Sequence, residues 1–240
     1  MRAMVAALGV VFALPLAGCS RAPGYPAQAA GRPQDVLSFN VLYAQNCAAC
    51  HGSNGQGGAA IDLANPEYEA LVDDASLRKS IADGMPGTQM PAFAQSANGE
   101  LTDAQVDAIV AGMRKQWSRP NAFAGASPPP YPQVHAGDAK RGRQTYQAHC
   151  AMCHNASRGE ITSPIYLALV SDQYLRTIVI AGSPDIGQPD WRHDSEGGKP
   201  ATPLSAQDVD DIVTYLASLR NAAPQIAGNA VFPAPTPAGR

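Results

Sequence analysis

The five residues CAACH at 47–51 return as CAMCH at 150–154, and this pair of motifs constrains the fold more than anything else in the chain. Two thiols three positions apart, followed directly by histidine, are what covalent attachment of a c-type haem needs. Cys47 and Cys50, and again Cys150 and Cys153, each add to one vinyl group, while His51 and His154 ligate the iron. Paired CxxC is also zinc-ribbon spacing. A zinc ribbon leaves unexplained why both pairs end in His and why they stand a whole domain apart. The expected cofactors are two covalently bound haem c groups.

The motifs sit inside a longer duplication. Residues 65–84, NPEYEALVDDASLRKSIADG, align with 163–182, SPIYLALVSDQYLRTIVIAG, at a constant offset of 98, and nine of the twenty positions are identical. At the offset of the motifs themselves, Tyr43 matches Tyr146, and LTDAQVDAIV from Leu101 matches LSAQDVDDIV from Leu204. Val36, Phe39, Leu42 and Tyr43 recur at helical spacing and lead into Cys47. Thr102 and Ser205 read as N-caps of closing helices whose buried stripes are Val106, Ile109, Val110 and Val209, Ile212, Val213. The glycine-rich GSNGQGG after His51 has no strand before it and no Lys-Ser/Thr after it, so it reads as a turn rather than a phosphate loop.

At 240 residues the chain accommodates two small domains, and its 21 prolines and 22 glycines point to linker between and around them. Residues 1–18 read as a secretory signal: Arg2, an apolar run, then small residues, too short for a confident membrane span. Their ending, Leu16-Ala17-Gly18-Cys19, is similar to the lipobox of bacterial lipoproteins, which makes Cys19 the lipidated first residue. A stray thiol at Cys19 beside an ordinary cleavage site is the alternative. With Cys19 as a lipid anchor, the five cysteines divide into four thioethers and one anchor. Residues 19–33 then form a flexible tether, 34–119 the first domain, 120–136 a Pro-rich extended linker, 137–222 the second domain and 223–240 a Pro/Ala-rich tail.

Each half resembles a small class I cytochrome c domain: a Tyr before CxxCH, a Gly-Met-Pro type loop and a C-terminal helix. The resemblance implies an all-α fold, with two tandem helical domains each built around a largely buried haem. It also implies a methionine followed by proline as sixth iron ligand. Met90-Pro91-Ala92-Phe93 fits that loop, with Met85-Pro86 as a competitor. In the second half the offset of 98 places Gln188-Pro189-Asp190-Trp191 there instead, and no Met follows Met152. The distal side of the second haem is then His193, Gln188 or Lys199, or stands open to a small molecule. His193 reads equally as a surface histidine. His135 and His149 read as exposed and uninvolved in ligation.

The formal net charge of −3 argues against nucleic acid as a partner. No carboxylate pair, Ser-His arrangement or phosphate loop offers a catalytic site. The expectation is a diheme electron carrier on the periplasm-facing side of a bacterial cell-envelope membrane, lipid-anchored, passing single electrons between protein redox partners. Two other classes stay open: a haem enzyme or gas/peroxide sensor using the second haem, and a fixed cytochrome subunit of a quinol-oxidising or dehydrogenase complex.

Overall fold

Periodicity and caps in the sequence become nine α-helices among the described residues, and no strand appears there. The structure is a computed structural model; it describes residues 32–155, 161–192 and 202–220. The signal, the lipobox with Cys19, most of the tether and the tail from 221 onward lie outside the described residues, as do His193 and Lys199.

In the first half α1 (Phe39–Asn46) runs into the short α2 (Ala48–His51), and α3 (Pro66–Leu71), α4 (Asp74–Asp83) and α5 (Asp103–Trp117) follow. The second half repeats the order with α6 (Ala139–His149), α7 (Pro164–Leu167), α8 (Asp172–Ala181) and α9 (Ala206–Arg220). Thr102 closes a capping box with Gln105 at the start of α5, and Ser205 exchanges the equivalent bonds with Asp208 before α9. Val106, Ile109, Val209 and Ile212 are buried to 1% exposure or less, so both stripes face the core.

In each half the first and last helices cross closely, and each crossing uses one glycine. A Cβ on Gly112 of α5 would lie 2.2 Å from the Phe39 ring of α1. At the matching positions of the second half the two sizes are exchanged: Gly142 lies on α6 and Tyr215 on α9. A Cβ on Gly142 would come within 1.9 Å of the Asp211 carbonyl oxygen and 2.9 Å of Tyr215 Cβ. Trp117 meets both Phe39 and Tyr43 edge to face around the first crossing, with the Tyr43 and Trp117 centroids 5.2 Å apart.

Long arginines tie the closing helices to the middle of each half. Arg114 on α5 pairs with Asp74 at 2.7 Å and with the buried Glu69 at 2.9 Å, and donates to the Val72 carbonyl. Arg220 on α9 pairs with Asp172 at 2.7 Å and donates to the Val170 carbonyl at 2.9 Å. By repeat position Arg220 matches Trp117 rather than Arg114. The arginine has moved about one helical turn, and its reach compensates.

The described residues from 34 onward form one compact unit. Ala181 at the end of α8 is buried in the first half's core, and Leu71 packs against both cores. The Pro-rich linker is pinned rather than free. Arg176 donates to the Pro130 and Tyr131 carbonyls, Gln173 also donates to Tyr131, and the Tyr131 side chain packs on the first core. Arg176 pairs in turn with Asp210, and both are almost fully buried. Asp210 also accepts from the His135 backbone N–H at 3.0 Å and faces its ring at 3.1 Å. The repeat carries the same pair in the first half as Arg78 and Asp107, where it stays on the surface.

Removing one member of a buried pair strands the other charge away from water, whereas the same loss at the surface is screened. Asp210→Ala is expected to lower stability by about 3–5 kcal/mol, read from the denaturant midpoint, and Asp107→Ala to shift that midpoint far less.

Candidate functional site

Both CxxCH motifs are wound on the turn that follows a helix. Cys47 ends α1 with its N–H on the Tyr43 carbonyl at 2.9 Å, and the His51 N–H bonds back to Cys47 at 3.0 Å. Cys150 and His154 repeat this at 2.8 and 2.9 Å. Helical winding puts positions i, i+3 and i+4 on one face, so each motif presents two thiols and an imidazole to the same side.

The repeated spacing of the tyrosines now has a physical role. Tyr43 Oη donates to the Gly52 carbonyl at 2.8 Å, and Tyr146 Oη to the His154 carbonyl at 3.1 Å. Each phenol thereby fastens the chain leaving CxxCH to the helix that enters it. Burial pushes the Tyr43 phenol up to about 12, so it stays a donor. The glycine-rich segment closes on itself, with Ala60 N–H on Cys50 and Ala64 N–H on Gly55.

His51 is 7% exposed, and its Nδ1 lies 2.8 Å from the Ile61 carbonyl oxygen. A carbonyl only accepts, so Nδ1 carries the proton and Nε2 keeps its lone pair. Burial lowers the pKa of the ring, which favours that neutral form. His51 is therefore oriented as a metal ligand. The thiols differ from a zinc set: burial pushes Cys47 and Cys150 up to about 11, which keeps them protonated. Among the described residues no three His, Cys, Asp or Glu side chains converge on one point.

The returning loops are built alike. α4 ends at Gly84 with φ 69 and ψ −171, and α8 at Gly182 with φ 70 and ψ −172. That region is essentially closed to other residues. A Cβ on Gly84 would come within 2.8 Å of Met90 O, Pro91 C and Ala92 N; one on Gly182 would come within 2.9 Å of Gln188 O, Pro189 C and Asp190 N. Met85 N–H bonds to the Met90 carbonyl at 3.1 Å, and Ser183 N–H to the Gln188 carbonyl at 2.9 Å. Met90 and Gln188 thus occupy the same place in the same loop.

What those places hold differs. Met90 is half-buried and packs on the first core together with Cys47, Ala48 and Ile61, whereas Met85 is not among the residues packed there. Gln188 Oε1 lies 2.9 Å from His154 Nε2; an amide oxygen only accepts, so this bond places the proton on Nε2 and occupies the nitrogen that would face a metal. His135 is engaged with Asp210, and His149 ends α6.

The first half's residues fit a haem, whereas in the second half His154 Nε2 is engaged by Gln188 and a buried donor stands nearby. His51 presents a free Nε2, a soft thioether packs on the same core as Cys47, and Trp191 supplies a buried indole N–H with no partner among the described residues. Such a donor suits a carboxylate carried by the bound group.

The comparisons with known proteins agree. Residues 34–111 match the family described as cytochrome C oxidase, cbb3-type, subunit III, and residues 139–220 match the cytochrome c family. Cytochrome c-554(547) of Halothiobacillus neapolitanus is 32% identical over 93 residues, which are 35% of this chain and the whole of that protein. The dihydro-heme d1 dehydrogenase of Pseudomonas aeruginosa is 37% identical over 100 residues, and the cbb3-type cytochrome c oxidase subunit CcoP of an Azospirillum strain is 26% identical over 194. Those matches span 42% and 71% of this chain but only 17% and 53% of the two relatives. The chain belongs to the cytochrome c family. It carries two cytochrome c-type domains in tandem.

Since both loops hang on a glycine that no other residue replaces without strain, Gly84→Ala and Gly182→Ala are each expected to cost about 1–3 kcal/mol, measured as a shift in the thermal or denaturant midpoint. Gly87→Ala, with open space around its Cβ position, tests backbone strain alone and should cost less.

Proposed function

We propose that the chain is a diheme c-type cytochrome that passes single electrons between protein redox partners in the bacterial cell envelope. The observation carrying this reading is the duplicated arrangement of histidine, thiols and returning loop, with the tandem family match beside it. Cys47, Cys50, Cys150 and Cys153 are the thioether attachments, and His51 and His154 the proximal ligands. The haem supplies one-electron iron chemistry when bound. The protein's part is to orient each imidazole, exclude water and choose the second donor.

Met90 is the distal ligand of the first site. A neutral, soft thioether favours ferrous iron and raises the potential. At the second site the returning loop offers Gln188 where the first offers Met90, and an amide oxygen would be a harder, weaker donor. The sites are therefore unequal, with the second at lower potential and more open to an added ligand. That openness favours a second reading, in which the second haem binds a small molecule while the first supplies electrons.

Lipidation at Cys19, motivated by the Leu-Ala-Gly-Cys sequence, places the chain on a membrane facing the periplasm. No helix among the described residues is long and apolar enough to cross one. The likeness to CcoP over 71% of this chain makes a fixed place in a membrane redox complex the alternative to a free carrier. Stable co-purification with membrane partners distinguishes the two.

Alkaline pyridine spectra should give two haems per chain, and a potentiometric titration two separate waves. Met90→Ala should abolish the sulfur-to-iron charge-transfer band and lower only the higher wave. One wave for two equivalent sites, with the band at full strength for both, would overturn the assignment of Gln188.

A further inference from the structure

The first half is seated on the second through a face of α3 whose copy on α7 is left exposed. Asn65, just before α3, is 2% exposed, and its Nδ2 donates to the Ala181 and Gly182 carbonyls at the end of α8, at 3.2 and 3.1 Å. Glu67 reaches Arg192 at 3.5 Å, and Leu71 packs against both cores. Glu67 and Leu71 stand four positions apart, on one side of the helix. Their counterparts at the offset of 98 are Ile165 and Leu169, and Ser163 stands for Asn65. Ser163 makes no side-chain capping bond, and Ile165 and Leu169 are 71% and 57% exposed. The second half thus shows to solvent, in a more apolar form, the face by which the first half is docked.

The receiving side is duplicated too. α4 ends at Gly84 in the backbone conformation that α8 takes at Gly182, and each glycine lies under its own returning loop. Where the second half offers Asp190, with Arg192 paired to it, the first half has Ala92, and Ala94 lies inside its core. Both sides of the Glu67–Arg192 strut are therefore apolar in the copies: Ile165 on α7, and Ala92 beside Gly84. Ala181 becomes Asp83, a half-exposed carboxylate paired with Lys79 at 2.6 Å. Ser163, in place of Asn65, supplies a hydroxyl that can donate to it.

We propose that these two surfaces meet between copies of the chain: α7 of one molecule seats on the end of α4 of a second, as α3 seats on α8 within each. Ile165 and Leu169 are covered against the Gly84–Ala92 surface, and Ser163 meets Asp83. The contact is head to tail. Each added copy presents a further α7 face and a further α4 end, so association does not stop at a pair unless the row closes into a ring. The second half of one chain then lies beside the first half of the next, in the order that the halves already have within a chain. The contact uses no iron ligand and reaches beyond the proposed function to a partner, which is the chain itself.

Sedimentation of the full-length protein in mild detergent, at rising concentration, reads the association. The mass of the wild type should climb past that of a pair. Ile165→Glu restores on α7 the residue type of Glu67, with no counterpart of Arg192 to receive it. Asp83→Arg sets a long cation at the end of α4, where it suits the helix dipole. Each variant alone should stay single, and their equimolar mixture should give a pair and nothing larger, because one intact face of each kind remains. Leu169→Lys repeats the α7 arm should Ile165→Glu lower the thermal midpoint. A wild type that stays single at every concentration overturns the proposal. So does a mixture that forms no pair. Pairing of the Asp83→Arg chain with itself also overturns it, since α7 faces would then be meeting each other.

Discussion

Each half depends on its first and last helices crossing closely enough to bring the CxxCH turn and the returning loop onto one core. Helix backbones approach that closely only where one side chain at the crossing is missing. The chain meets this requirement twice with opposite choices. Phe39 lies against Gly112, then Gly142 lies against Tyr215, so the bulky residue has changed helices while the crossing has kept its space. Filling either glycine puts a Cβ against backbone or ring that has nowhere to move, and overpacking of that kind costs about 1–3 kcal/mol. The rest of each half follows from the crossing. The tyrosine at the motif, the buried stripe of the closing helix and the arginine that reaches back to α3 or α7 all lie on the two helices it holds together.

Much of this was legible in the sequence, and the unread part has one physical character. The stripes at Val106, Ile109, Val110 and their partners follow from helical period, and the Thr102 and Ser205 caps from local chemistry. That Gln188 takes the loop position of Met90 follows from the offset of 98, which runs unbroken from residue 65 through the loop. What escaped notice needs contacts between distant segments. Arg176 reaching the Pro130 carbonyl joins residues 46 apart, and Asn65 reaching Gly182 joins residues 117 apart. The identical Arg78/Asp107 and Arg176/Asp210 pairs were a usable signal, but burial of only the second pair depends on where the linker lies. The exchange of Phe39/Gly112 for Gly142/Tyr215 is also visible in the aligned repeats, once it is known that those positions touch.

The duplicated pairs show how a repeat loses its symmetry. At the surface, Arg78 and Asp107 form an exposed pair of little consequence for stability. Covered by the linker, the same two residue types become a buried pair that a single substitution would break at large cost. The linker thereby gains a fixed path over the second half, which an extended Pro-rich segment alone would not specify. His135 contributes to that path through its backbone N–H as well as its ring, both of which meet Asp210.

Asymmetry at the two candidate iron sites follows the same course. The first half closes its site from its own residues: the Ile61 carbonyl orients His51, and Met90 packs on the core that its own helices make. The second half does not close its site alone. Its loop carries Gln188 in place of a thioether, and the loop's root is held by Asn65 and its far end by Glu67 through Arg192, both from the first half. The Gln188 amide oxygen meets His154 Nε2 directly, so the position of that loop decides whether the nitrogen is covered. The first domain is thus part of the second site's structure, and the tandem arrangement does more than set two carriers side by side.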